Sequence, residues 1–270
     1  MPRFAANLSM MFPELPFLER FGAAKQAGFR AVEFMFPYEH PAAAIAEQLA
    51  AHDLVQVLFN LPPGDWSNGE RGLACLPDRG AEFEDGVARA VEYATQLRCP
   101  RLNCLAGIRS DRIAPARARD LLLERVRFAA NFAAPAGITL LIEPLNSIDV
   151  PGFFLTRNDE VADIVEALPD VANVALQFDA YHTHMMGGDV VAEFAKHQKI
   201  LGHVQVSDVP GRHEPGSGEI DFAAFFGALD AGNYDGWVGC EYRPKGDTVT
   251  GLTWLKRFSA CADDGPMTRK

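Results

Sequence analysis

From residue 3 onward the chain alternates, eight times over, between a short apolar or β-branched run and an amphipathic, alanine-rich one. The apolar runs are RFAANL (3–8), AVEFMF (31–36), VQVLFN (55–60), RLNCLAG (101–107), ITLLIEP (138–144), VALQFDAYH (174–182), LGHVQVSD (201–208) and GWVGCEY (236–242). Between them lie FLERFGAAKQAG, AAAIAEQLAAH, EFEDGVARAVEYATQL, ARARDLLLERVRFAANFAAPAG, NDEVADIVEAL, VVAEFAKHQ and FAAFFGALDAG, and VTGLTWLKRFSAC follows the last. Continuous apolar strands are expected where a parallel sheet is covered by helices. Eight strand–helix units predict one (β/α)₈ TIM barrel. A doubly wound open sheet is the competing α/β arrangement, but it would show a glycine-rich phosphate loop after an early strand. The junctions NLSMMFPE and FMFPYEHP have none, and no GxxxxGK[ST] occurs.

No linker, charge block or low-complexity segment divides the chain, so residues 1–262 read as one barrel domain and DDGPMTRK (263–270) as a disordered tail. The segment LPPGDWSNGERGLACLPDRG (61–80) is long and without periodicity, as lids and binding loops are. After the third strand it would lie on the barrel's active face.

Barrel chemistry sits at the C-terminal strand ends. The fifth to eighth strands end in Glu143, Asp179, Gln205 and Glu241. Any one alone could be a polar terminus meeting water. Three carboxylates in one mouth, however, would repel at low dielectric unless a cation neutralised them. One hard divalent ion with oxygen ligands answers this: Mg²⁺ or Mn²⁺, with Co²⁺ as a further choice. Around these positions lie Asp149, in NSIDVPGF, and His182, in DAYHTH, where His184 reads as structural. Arg212, in VPGRHEPGSGEID, could bind an anionic substrate bidentately or pair with Glu214 or Glu219. Glu70 and Arg71 in the long loop could close over a ligand or form a solvated pair.

Charge and cysteine content narrow the function classes. With 25 Lys+Arg against 36 Asp+Glu the formal net charge is −11, which argues against a nucleic-acid partner. The N-terminus lacks a signal-peptide pattern, and no apolar run approaches the ~20 residues of a membrane span. Five cysteines without a CxxC pair suit reduced thiols in a cytoplasm, with Cys104 and Cys240 as core. Neither nucleic acid nor a membrane is expected as a partner, and a homo-oligomer is left open.

RFAANLSMMF, GFRAVEFMFPY, FNLPPGDWSNGERGLACLP, LLIEPLN, HVQVSD, EPGSGEI and YDGWVGCEY together resemble the hydroxypyruvate isomerase family of xylose isomerase-like barrels. The resemblance runs in register from about residue 3 to about residue 258 and is most specific in the NLPPGDW…GERG segment. It implies one divalent metal held by Glu143, Asp179, Gln205 and Glu241, with Glu143 and Glu241 as proton donor and acceptor. Where the wider epimerase branch has histidine, this chain has Gln205, whose amide oxygen suits Mg²⁺ or Mn²⁺ better than zinc. His182 and Arg212 resemble residues around the substrate oxygens. The implied reaction interconverts hydroxypyruvate and tartronate semialdehyde through an enediolate. A four-carbon acid (2-dehydrotetronate) or a ketose epimerised at C3 is the alternative substrate, and a hydride shift the alternative route. A zinc-dependent nuclease and a non-catalytic sugar-acid-binding protein are readings from other classes.

Overall fold

The computed structural model describes residues 2–258; the expected domain limit at 262 and the tail at 263–270 lie outside them. The elements run β1 (Arg3–Asn7), α1 (Arg20–Gln26), β2 (Ala31–Glu33), α2 (Ala42–Ala51), β3 (Val55–Gln56), β4 (Phe59–Asn60), α3 (Gly80–Leu97), β5 (Arg101–Asn103), α4 (Pro115–Ala133) and β6 (Thr139–Ile142). They continue with α5 (Asn158–Glu166), β7 (Val174–Asp179), α6 (Ala180–Met185), α7 (Val190–His197), β8 (Leu201–Val206), α8 (Phe222–Ala231), β9 (Trp237–Cys240), α9 (Thr248–Gly251) and α10 (Leu255–Phe258).

Every strand pairing is parallel. The order β3-β2-β1-β9-β8-β7-β6-β5-β4 begins and ends on the two halves of the third stave, so the sheet closes on itself as the expected barrel. The sequence reads that stave as one strand; the structure splits it at Val57 and Leu58. The Gln56 side chain donates from Nε2 to the Leu58 carbonyl at 2.7 Å, while the Phe34 N–H reaches the same oxygen only at 3.4 Å. A side-chain amide has taken much of a ladder acceptor. The sixth stave also stops short of its expected end at residue 182: the Asp179 carboxylate accepts from the Tyr181 N–H at 2.7 Å and caps α6.

Helices cover the outside because their apolar residues recur every three or four positions. In α3, Phe83, Val87, Ala90, Ala94 and Leu97 are all buried. Full burial of each larger side chain contributes about 1.5–3 kcal/mol. No helix among the described residues is long and apolar enough to cross a membrane.

The barrel interior has two layers of different character. One is apolar and small: Ala5, Ala31, Val57, Leu58 and Leu141 cluster although β1 and β6 are not neighbours, so they meet across the lumen. The other is polar. Glu33 of β2 accepts from Asn7 Nδ2 (3.0 Å) of β1, and from Gln205 Nε2 (2.8 Å) and His203 Nε2 (2.7 Å) of β8. Gln205 Oε1 in turn accepts from Gln177 Nε2 of β7 at 2.6 Å. Gly239 of β9 makes room for this, since a Cβ there would stand 2.3–2.5 Å from the Glu33 carboxyl group.

Candidate active site

Glu143 lies one residue past β6, Asp179 ends β7, and Glu241 lies one residue past β9. All three are buried, at 4%, 2% and 6% exposure, so none is merely a strand end meeting water. Burial, with Glu241 and Asp179 nearby, holds the Glu143 carboxyl well above the usual carboxylate range. Burial pushes Glu241 up to about 8, with Arg212 opposing. Asp179 is also raised by burial, again against Arg212. Packing three acids into one low-dielectric mouth disfavours their ionised forms, and any added cation there shifts all three back.

The cation among the side chains is Arg212. Its Nη2 donates to Glu241 Oε2 at 2.7 Å and lies 3.5 Å from Asp179 Oδ2. Its guanidinium packs 5.2 Å from the centroid of the Tyr181 ring. Burial opposes its charge, but Glu241, Asp179 and Glu143 together hold it above its ordinary range. The sequence offered Glu214 or Glu219 as partners for Arg212; its salt bridges here go to the site instead. Arg212 has φ +57°, an uncommon conformation for a non-glycine residue that the surrounding loop must hold.

That loop is folded around Asp208. Its Oδ1 accepts from Val209 N (2.8 Å) and Ile220 N (3.0 Å), its Oδ2 from Gly216 N (2.9 Å) and Gly218 N (2.8 Å). A Cβ at Gly218 would stand 2.0 Å from the Val209 carbonyl oxygen, so only glycine lets the chain double back this closely. The expectation for residues 209–220 stopped at Arg212; the residue that shapes the loop is Asp208.

His182, in α6, places Nε2 3.9 Å from Asp179 Oδ2. Burial and the nearby Arg212 keep this imidazole well below its ordinary pKa, hence neutral. One ligand atom each from Glu143, Asp179 and His182 lie within 4.8 Å of one another, a grouping that could hold a metal ion. Glu143 Oε1 and Asn103 Oδ1 are buried without a hydrogen-bond partner, while Asn103 Nδ2 donates to Glu143 Oε2 at 2.9 Å. Two orphaned oxygens beside a carboxylate cluster fit a hard cation.

Three groups of expected site residues have protein partners that the sequence did not reveal. Gln205 does not present a free amide oxygen: Gln177 occupies Oε1 and Glu33 takes the nitrogen, because the interior layer engages both ends of that side chain. Asp149 is exposed, and its Oδ2 accepts from Tyr181 OH (2.8 Å) and Asn146 Nδ2 (3.1 Å). Glu70 and Arg71 do not pair with each other as side chains. The Glu70 carboxylate binds Arg79 and the Asp65 N–H, while Arg71 stacks 3.8 Å over the Trp66 ring and donates to the Trp66 and Glu70 carbonyls. Both residues are engaged in folding their own loop.

Asn103, Asn146, Asp208 and Glu33 escaped the sequence reading. A signal for the barrel interior was nevertheless available: in LGHVQVSD, His203, Gln205 and Ser207 alternate with Val204 and Val206, the period of a strand with one polar face.

The xylose isomerase-like TIM barrel family matches residues 21–258. The chain is 49% identical to a 2-oxo-tetronate isomerase of Cupriavidus necator, over 96% of this chain and 99% of that one. It is 43% identical to the hydroxypyruvate isomerase of Escherichia coli, over 96% of this chain and all of that one. A Brucella melitensis structure described as an AP endonuclease of family 2 superposes with a TM-score of 0.92 at 46% identity, over 96% of this chain and 99% of that one.

Proposed function

Since this chain belongs to the xylose isomerase-like TIM barrel family, we propose that it is an aldose–ketose type isomerase of short hydroxy-oxo acids. Its substrate in this reading is hydroxypyruvate, converted to and from tartronate semialdehyde. The observation that carries it is the buried trio Glu143, Asp179 and Glu241 at the mouth of the barrel, with one arginine among them. The 49% identity to a 2-oxo-tetronate isomerase favours, as a second reading, the same chemistry on the four-carbon 2-oxo acid.

Glu143, Asp179 and Glu241 would hold a divalent ion, Mg²⁺ or Mn²⁺, with Gln205 joining them by exchanging Gln177 for the metal. When bound, the ion supplies Lewis-acid polarisation of the carbonyl and charge compensation as an enediolate develops. The residues do the rest. One glutamate takes a proton from the hydroxyl-bearing carbon, and the other delivers one to the neighbouring carbon. The hydroxyl proton moves to the former carbonyl oxygen, and the two glutamates reset by exchange with water, so nothing is gained or lost. Glu143 Oε1, buried and without a partner, is suited to the base. Glu241, whose Oε2 is held by Arg212 at 2.7 Å, takes the other role. Arg212, whose Nε is buried and unpartnered, takes the substrate carboxylate, and His182 contacts a substrate oxygen.

The formal charge of −11 weighs against nuclease activity. Four buried free cysteines, Cys75, Cys99, Cys104 and Cys240, support a cytoplasmic location.

A turnover panel of hydroxypyruvate, 2-oxo-tetronate and free ketoses tests the proposal. We expect turnover of one or both acids, reduced at least about 100-fold in Glu143→Gln and in Glu241→Gln. Turnover of free ketoses alone, or unchanged rates in both variants, would refute it.

A further inference from the structure

Asn146 follows Glu143 by three residues and is fully buried. Its amide orientation is fixed by its surroundings. Oδ1 accepts from the backbone N–H groups of Ile148 (3.1 Å) and Asp149 (2.8 Å), while Nδ2 faces Asp149 Oδ2 at 3.1 Å. Turning the amide over would set its NH₂ against two N–H donors and its oxygen against a carboxylate oxygen. Asp149 is in turn held by the Tyr181 hydroxyl at 2.8 Å.

With that orientation set, His182 Nδ1 meets only donors. The Asn146 backbone N–H approaches it at 3.1 Å and the Asn146 Nδ2 at 2.7 Å. A proton on Nδ1 would face both, so Nδ1 carries the lone pair and the single proton of the neutral ring sits on Nε2. Nε2 lies 3.9 Å from Asp179 Oδ2, too far for a hydrogen bond, so its hydrogen stays available at the edge of the carboxylate group.

We infer that Asn146 is a positioning residue that locks His182 as the Nε2–H tautomer, making the imidazole a hydrogen-bond donor to the ligand and not a ligand to a metal. A neutral imidazole binds a metal through its unprotonated nitrogen, and here that nitrogen is covered. The closeness of His182 to Glu143 and Asp179 therefore does not make it a third ligand, which leaves Glu241 and Gln205 to complete the set. The tautomer itself follows from the contacts alone; only the identity of the oxygen that meets the N–H rests on the isomerase reading.

The test is a long-range ¹H–¹⁵N correlation spectrum of ring-labelled, Mg²⁺-loaded protein, with His182 assigned by loss of its signals in His182→Gln. We expect a protonated Nε2 and an unprotonated Nδ1 in the substrate-free wild type. In Asn146→Asp a carboxylate oxygen replaces the Nδ2 donor, so the proton pattern should change, with Nδ1 becoming protonated. That variant should also lose about 10–100-fold in kcat/KM, as loss of such supporting partners does, chiefly through KM. A wild-type ring protonated at Nδ1, or an unchanged His182 pattern in Asn146→Asp, overturns the inference. The wild-type spectrum suffices even if the variant does not fold. Because it needs no substrate, the tautomer can hold while every tested acid goes unturned, or fail while turnover is normal.

Discussion

Replacing Asp208 by asparagine changes one oxygen of the carboxylate around which the Arg212 loop is built. Four backbone N–H groups now share its two oxygens, at 2.8–3.0 Å. An asparagine offers one acceptor atom, so in either rotamer two N–H groups face an NH₂. Ile220 is buried whereas Gly216 and Gly218 are exposed, so the amide oxygen should stay with Val209 and Ile220. Water then substitutes in part at the two glycines. A buried donor left without a partner costs about 1–3 kcal/mol. Two such donors with partial rescue by water give an expected loss of about 2–3 kcal/mol. The urea midpoint should fall with an unchanged denaturant slope, since the buried area hardly alters. The melting temperature should drop by about 5–10 °C, at about 2–4 °C per kcal/mol for a chain of this size. Because the same loop holds Arg212 in its left-handed conformation, KM for the acid substrate proposed above should rise as well. A variant within about 0.5 kcal/mol of wild type, with unaltered KM, would refute the argument that Asp208 organises the loop.

The raised pKa of Glu241 makes a linkage prediction. A carboxyl at about 8 in the folded chain and 4.5 when unfolded binds its proton more tightly when folded. Its contribution to stability is therefore fully present below 4.5 and is lost as pH rises through about 8. Urea midpoints of chelator-treated protein should fall across that window, and less steeply in Glu241→Gln; a flat wild-type profile contradicts this. Gly239→Ala should destabilise by about 1–3 kcal/mol through overpacking, since its Cβ would stand 2.3–2.5 Å from the Glu33 carboxyl group. Glu33→Asp in the same chain, one methylene shorter, should restore part of that loss, and a fully stable Gly239→Ala would disprove the close approach.

What was legible in the sequence follows from how each feature is encoded. The barrel was, because eight strand–helix alternations are a signal spread over the whole chain. Glu143, Asp179 and Glu241 were, because a charge that interrupts a greasy run stands out locally. Gln205 was only half legible: its place in β8 is a matter of register, but its partners lie on other strands, Gln177 on the neighbouring β7 and Glu33 on β2 across the lumen. The long-loop residues Glu70 and Arg71 were hardest, because whether a loop charge binds a ligand or ties its own loop depends on partners such as Arg79 and Trp66 that periodicity does not reveal. Asp208 was hidden for a related reason. It is one more polar residue at a strand end, and its significance lies in four backbone donors that converge only once the loop has folded.

The interior polar layer also bears on how this barrel could diverge. Gln205 shares its amide between Gln177 and Glu33, Glu33 also engages His203 and Asn7, and the carboxyl fits only because residue 239 has no side chain. Exchanging Gln205 for an imidazole to favour a softer metal would leave the Gln177 amide without its acceptor and alter the contact to Glu33. Substitutions at these positions should show strong epistasis, as residues within one hydrogen-bonded network do. A lineage could change residue 205 only through paired changes on strands far apart in sequence, so the residues of the barrel floor would have to change together.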